Sequence, residues 1–109
     1  MSKVFNYLTN KKFINWKNFI NNKNIVLGTC VIKPHGDLFK HKHKIDEYYF
    51  VMEGKAKIYI DDEPTILKKN MFMKIPKYKF HYTKNIFNED FKFMYIFENG
   101  PFEEVDYYT

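Results

Sequence analysis

The chain reads as an all-β protein, a barrel or sandwich built from short strands. Three observations predict this. Apolar residues recur mostly with a period of two rather than 3.6. Short runs rich in Val, Ile, Tyr and Phe are separated by turn signals made of Gly, Pro, Asn and Asp. Finally, 109 residues with 45% hydrophobic and 20% aromatic content are enough for one domain, spanning 1–109, with its own core.

The elements follow in order. The opening stretch is ambiguous: "TNKKFINWKNFINN" fits either a short helix with Phe13, Trp16, Phe19 and Ile20 inward or an extra edge strand. "NIVLGTCVIK" is the first clear strand, and "KPHGD" turns the chain. "EYYFVMEG" and "KAKIYID" are strands joined at Gly54, which is free to take a positive φ. "DDEP" makes a tight turn into "PTILKK", with Asp61 and Asp62 suited to it. "MFMKIP", "KFHYTKN" and "FKFMYIFE" follow, separated by "IPKYK" and "NIFNED". From Gly100 onward the tail is acidic and aromatic.

The net charge of +5 invites a nucleic-acid reading, but the composition argues against it. All 18 basic residues are Lys, and both Arg and Gln are absent. Arg is the preferred reader of phosphate and guanine. The lysines are also dispersed along the chain, as on a solvated surface. Cys30 is the single cysteine, so no internal disulfide forms, and its apolar setting predicts a buried, inert thiol. No signal segment or apolar run of membrane-spanning length is present, and the chain is expected to be cytoplasmic.

"HKHKIDE" (41–47) carries the chemistry. On a strand, residues two apart share a face. The odd face of one continuous strand would read His41, His43, Ile45, Glu47, Tyr49, Val51. Metal-type ligands at one end then grade into apolar residues that line a barrel. The even face ends in Tyr48, Phe50 and Met52, and an apolar outer face suggests a covering second subunit, a homodimer. His81 supplies a further imidazole from another strand. His35, in "KPHGD", reads as a turn residue.

The spacing from Gly36 to Gly54 resembles the first motif of the cupin superfamily: a glycine, a spacer, His41-Lys-His43, three residues, Glu47, six residues, Gly54. The stretch 70–85 resembles the second: Asn70, five residues, Pro76-Lys-Tyr78, two residues, His81, three residues, Asn85. Asn70 and Tyr78 stand where the family has glycines. The resemblance implies a single cupin domain, a double-stranded β-helix or jelly-roll barrel. It also implies that His41, His43, Glu47 and His81 hold one divalent ion. Three imidazoles and a carboxylate suit Fe(II), Mn(II), Ni(II), Co(II) or Zn(II).

Cupins host many reactions, so the fold leaves the reaction open. The leading expectation is a metal-dependent enzyme acting on a small oxygen-rich substrate, a sugar or keto acid. It would be of isomerase or lyase type, with Tyr49 or Tyr95 moving a proton. The alternatives are an Fe(II)-dependent dioxygenase, disfavoured by the absence of Arg as a carboxylate clamp, and a non-catalytic binder of a sugar or metabolite. Pocket-lining candidates are Tyr49, Val51, Ile58, Met71, Met73, Phe80 or Tyr82, Tyr95 and Phe97.

Overall fold

The computed structural model describes residues 13–101 and 107–108. Alternation decides the architecture. In β2 (Val26–Ile32) every second residue is buried, and the same pattern runs through β4 (Glu47–Glu53) and β9 (Phe91–Phe97). A strand with one apolar face must lay that face on a core. The buried faces of β2, β4 and β9 carry Val26, Cys30, Ile32, Tyr49, Val51, Phe91, Phe93, Tyr95 and Phe97.

Two five-stranded sheets supply the two walls. One has the order β1-β2-β9-β4-β7, with β1 at Ile14–Asn21 and β7 at Phe72–Ile75. The other has the order β10-β3-β8-β5-β6, with β3 at Asp37–His43, β5 at Ala56–Ile60, β6 at Glu63–Leu67, β8 at His81–Lys84 and β10 at Tyr107–Tyr108. Strands β1 to β10 are paired antiparallel throughout. Ala56, Ile58, Leu67 and Leu38 meet the aromatic residues of the first sheet in the core. Tyr49 stacks on Phe93 at 4.1 Å between ring centroids, and Phe91 lies 5.3 Å from Phe93. Each such ring contributes about 1.5–3 kcal/mol through burial.

Among the described residues there is no helix, and none long and apolar enough to cross a membrane. The helical option for the opening segment is therefore corrected. Residues 14–21 form the edge strand β1, with Ile14 buried and Trp16 packed on the core. Phe13, Phe19 and Ile20 are exposed, Phe19 at 58%. A helix would have needed Phe19 and Ile20 on its buried stripe. Residues 9–12 of that segment lie outside the described region, as do 102–106 of the tail. Tyr107 and Tyr108 of the tail pair with His43 and Lys42 of β3.

The turns match their residues. Asp61 and Asp62 both have positive φ and connect Ile60 to its partner Glu63 as a two-residue hairpin loop. Gly54 has φ of 75°, and a Cβ there would overlap the Asp90 carbonyl. His35 is a turn residue with φ of 69°, and its amide donates to Asn85 O. Asn85 is a buried knot. Its side-chain amide donates to Ile32 O and Glu89 O, and its side-chain oxygen accepts from the Phe87 amide.

Candidate metal centre

The first element of the candidate centre is β3, which contains an irregularity that decides where its histidines point. Leu38 pairs with Thr83 and His41 with His81, so three residues of β3 span two of β8. This is a β-bulge, and a bulge re-aims the side chains beyond it. Before the bulge the buried residue is even-numbered, Leu38. After it, His41 and His43 are buried, at 4% and 1% exposure. If the strand alternated strictly from Leu38 with no bulge, Lys40 and Lys42 would face the core.

Glu47 arrives from the opposite wall. The chain leaves β3 at His43, turns through residues 44–46 and enters the other sheet at Glu47, the first residue of β4. The single continuous strand expected from 41 to 51 is thus corrected. The histidines and Glu47 face one interior from two sheets, and Ile45 lies in the turn. His81 opens β8 directly across from His41. On β8 the inward residues are His81 and Thr83, whereas Phe80 and Tyr82 are half-buried outside that face. The expectation that Phe80 or Tyr82 lines the interior is corrected accordingly.

The four predicted ligands come together. The ring nitrogens of His41, His43 and His81 lie within 4.8 Å of one another. Glu47 Oε1 lies 3.2 Å from His43 Nε2 and 3.4 Å from His81 Nε2. Phe97 stands edge-on to the His43 ring at 5.3 Å.

Ring orientation follows from backbone carbonyls. His43 Nδ1 lies 2.9 Å from Ile45 O, and His81 Nδ1 lies 3.0 Å from Lys79 O. A carbonyl only accepts, so both Nδ1 atoms donate and both Nε2 atoms face the centre. His81 Nε2 is buried and makes no hydrogen bond. Lone pairs of two imidazoles and an ionised carboxylate oxygen repel one another unless positive charge lies between them, as protons or as a metal ion. The donor set therefore fits a divalent transition ion, with coordination positions left over for a small ligand.

Burial alone would push the Glu47 carboxyl up. His43 and His81 beside it outweigh burial and bring it down to about 2. Cys30 goes the other way. Burial, followed by the nearby charge of Glu47, pushes its thiol far above the ordinary range, so it is the inert core residue expected.

The two tyrosines are buried, each with its hydroxyl engaged. Tyr49 Oη lies 3.5 Å from Thr83 Oγ1. Tyr95 donates to Asn18 Oδ1 on β1, crossing β2 at Gly28, its register partner. Asp46 went unnoticed in the sequence. Its Oδ1 accepts from the Lys77 amide at 2.8 Å, a contact that no local pattern announces. A surface cleft of about 550 Å³ between Lys55, Lys68, Lys69, Phe87 and Glu89 is lined by none of His41, His43, Glu47 and His81.

The Cupin domain family profile matches residues 28–97. The chain belongs to the cupin family. Dimethylsulfoniopropionate lyase DddW from Ruegeria pomeroyi is 28% identical to this cupin over 99 residues, 86% of the chain and 64% of the relative. The chain thus spans under two-thirds of the length of that curated relative. Among solved structures, a conserved-barrel cupin from Leptotrichia buccalis is 27% identical. It superposes with a TM-score of 0.74, covering 82% of this chain and 42% of that one. A protein with a double-stranded β-helix domain from Klebsiella pneumoniae gives a TM-score of 0.78 at 16% identity, over 98% and 93% of the two chains. At that identity the likeness is one of fold.

Proposed function

We propose that this cupin is a metal-dependent lyase or isomerase acting on a small oxygen-rich substrate, with His41, His43, Glu47 and His81 holding the ion. One observation carries the reading. Three imidazoles and a carboxylate converge in a buried position, and His81 Nε2 there has no hydrogen-bond partner. A divalent ion held there would polarise a carbonyl or carboxylate oxygen and acidify the adjacent C–H.

The chain's own groups handle the proton. Glu47 stays ionised and lies at the point of convergence, and it would take a proton from the acidified carbon only by leaving the ion. In an elimination the C–H electron pair becomes the new double bond, and a group on the next carbon departs with its own pair. In an isomerisation the same proton returns at a neighbouring position. Tyr49 and Tyr95 serve as proton carriers in this scheme only by leaving Thr83 and Asn18. The buried wall of Tyr49, Phe93 and Phe97 keeps bulk water from the reacting carbon. Likeness to a dimethylsulfoniopropionate lyase favours the elimination branch, since that relative is named for cleaving a small carboxylate that carries a sulfonium group.

The test has two stages. Metal content by mass spectrometry on untagged protein should be near one equivalent and be lost in His41→Ala and His81→Ala. Metal-loaded protein is then incubated anaerobically with small sugars, keto acids and dimethylsulfoniopropionate, and proton NMR follows the products. A new alkene or isomer formed without oxygen supports the reading. Turnover only with oxygen consumption would move the protein to the Fe(II) dioxygenases. A ligand-dependent rise in melting temperature without product would make it a binder.

A further inference from the structure

We propose that Asp46 is a positioning residue for this centre, clamping the two loops whose carbonyls aim His43 and His81. The inference rests on the metal reading above and concerns how the ligands are held.

Two loops flank the ligands. The turn 44–46 has His43 at one end and Glu47 at the other, and its Ile45 carbonyl receives the proton of His43 Nδ1. The loop 76–80 leads from β7 into His81, and its Lys79 carbonyl receives the proton of His81 Nδ1. Both loops cross from one sheet to the other, with β3 paired to β8 at one end (His41 with His81) and β4 paired to β7 at the other (Glu47 with Ile75). Ile45 and Lys79 themselves lie outside those ladders, so their carbonyls depend on contacts between the loops. Asp46 supplies one. It follows Ile45 directly, and its Oδ1 accepts from the Lys77 amide at 2.8 Å. The Tyr78 amide adds a second tie by donating to His43 O at 2.9 Å. Lys74 Nζ lies 3.5 Å from Asp46 Oδ2, on an exposed side chain.

Tyr78 shows that this loop needs holding. It has φ of 67°, a conformation that costs a bulky side chain energy, and its ring is 57% exposed. No burial of that ring compensates, so the amide contacts of Lys77 and Tyr78 keep the loop in place. Releasing the Asp46 contact frees Lys79 O, and with it the aim of His81 Nε2. Partners that orient a ligand imidazole in this way govern metal affinity.

The experiment compares Asp46→Ala, Asp46→Asn and Lys74→Ala with the wild type, using Co(II) as the probe. Asp46→Ala should weaken Co(II) binding about 10–100-fold in chelator competition and alter the Co(II) absorption spectrum. Asp46→Asn keeps the acceptor oxygen and should bind like the wild type. Lys74→Ala should also be unchanged. In metal-free protein, NMR of the His81 ring should show displaced resonances and the Lys77 amide faster exchange in Asp46→Ala only. A lower melting temperature with unchanged Co(II) affinity and unmoved His81 resonances would overturn the proposal. If the wild type itself takes up no Co(II), the metal reading falls, and the metal-free His81 resonances alone decide Asp46.

Discussion

His43 Nε2 and His81 Nε2 share one oxygen of Glu47, at 3.2 and 3.4 Å, with all three side chains buried. In metal-free protein, protons between these groups supply the positive charge, and the contact then stabilises the fold with a defined acid limit. The folded carboxyl lies near 2, below its ordinary 4.5. The unfolded chain therefore binds more protons between those values, so stability falls as pH falls. The contribution is complete above pH 4.5 and is lost on approach to 2. Glu47→Gln removes the titrating group. Chelator-treated Glu47→Gln should show a flatter fall of unfolding free energy through that window than chelator-treated wild type, measured by urea unfolding at each pH. Parallel curves would refute the assignment.

The bulge in β3 makes a separate prediction. Deleting Lys40 removes the extra residue between Leu38 and His41. Leu38 and His41 then stand two apart on a regular strand, and residues two apart share a face. His41 and His43 should therefore stay inward with no bulge to aim them, and the pairing of His41 with His81 is kept. The deleted chain should take up as much Co(II) as the wild type. Loss of uptake in a chain that still folds would show that the bulge does more than set the parity of the histidines.

That bulge also marks where the sequence stops being legible. The alternation on β2, β4 and β9 was readable because each strand is regular and buries one face. The convergence of His41, His43, Glu47 and His81 was readable because the cupin spacing singles them out without reference to strand parity. The path from His43 to Glu47 was not, because a three-residue turn that changes sheets preserves the parity of one long strand. Residues 13–21 left helix and edge strand both open because Phe13, Trp16, Phe19 and Ile20 fit a helical stripe, although Phe13, Phe19 and Ile20 are exposed on or beside the edge strand that forms. Asp46 was invisible because its partner Lys77 lies 31 residues away.

Cys30 should be chemically silent in the native protein. It is fully buried, and burial raises its thiol far above the ordinary range. The thiolate is the reactive form. Iodoacetamide should leave native protein unmodified at a pH of about 8.5, where a free cysteine is half ionised, and label it fully in urea. Labelling of the folded chain at the rate seen in urea would show that β2 opens.

Tyr95 separates packing from catalysis. It lies across Gly28, whose missing Cβ makes room for the phenol ring, and donates to Asn18. Tyr95→Phe keeps the ring and deletes the hydroxyl, so it should cost about 1 kcal/mol of stability through the lost hydrogen bond. Gly28→Ala should cost more, about 1–3 kcal/mol, because its Cβ overlaps both the Tyr95 hydroxyl and the Lys17 carbonyl. If Tyr95 only packs, Tyr95→Phe retains full turnover on whatever substrate the anaerobic screen identifies. A fall in kcat of about 100-fold or more, the scale of general acid–base catalysis, with unchanged metal content would instead make its hydroxyl a proton carrier. The same comparison with Tyr49→Phe, whose hydroxyl lies beside Thr83, assigns the second tyrosine by the same criterion.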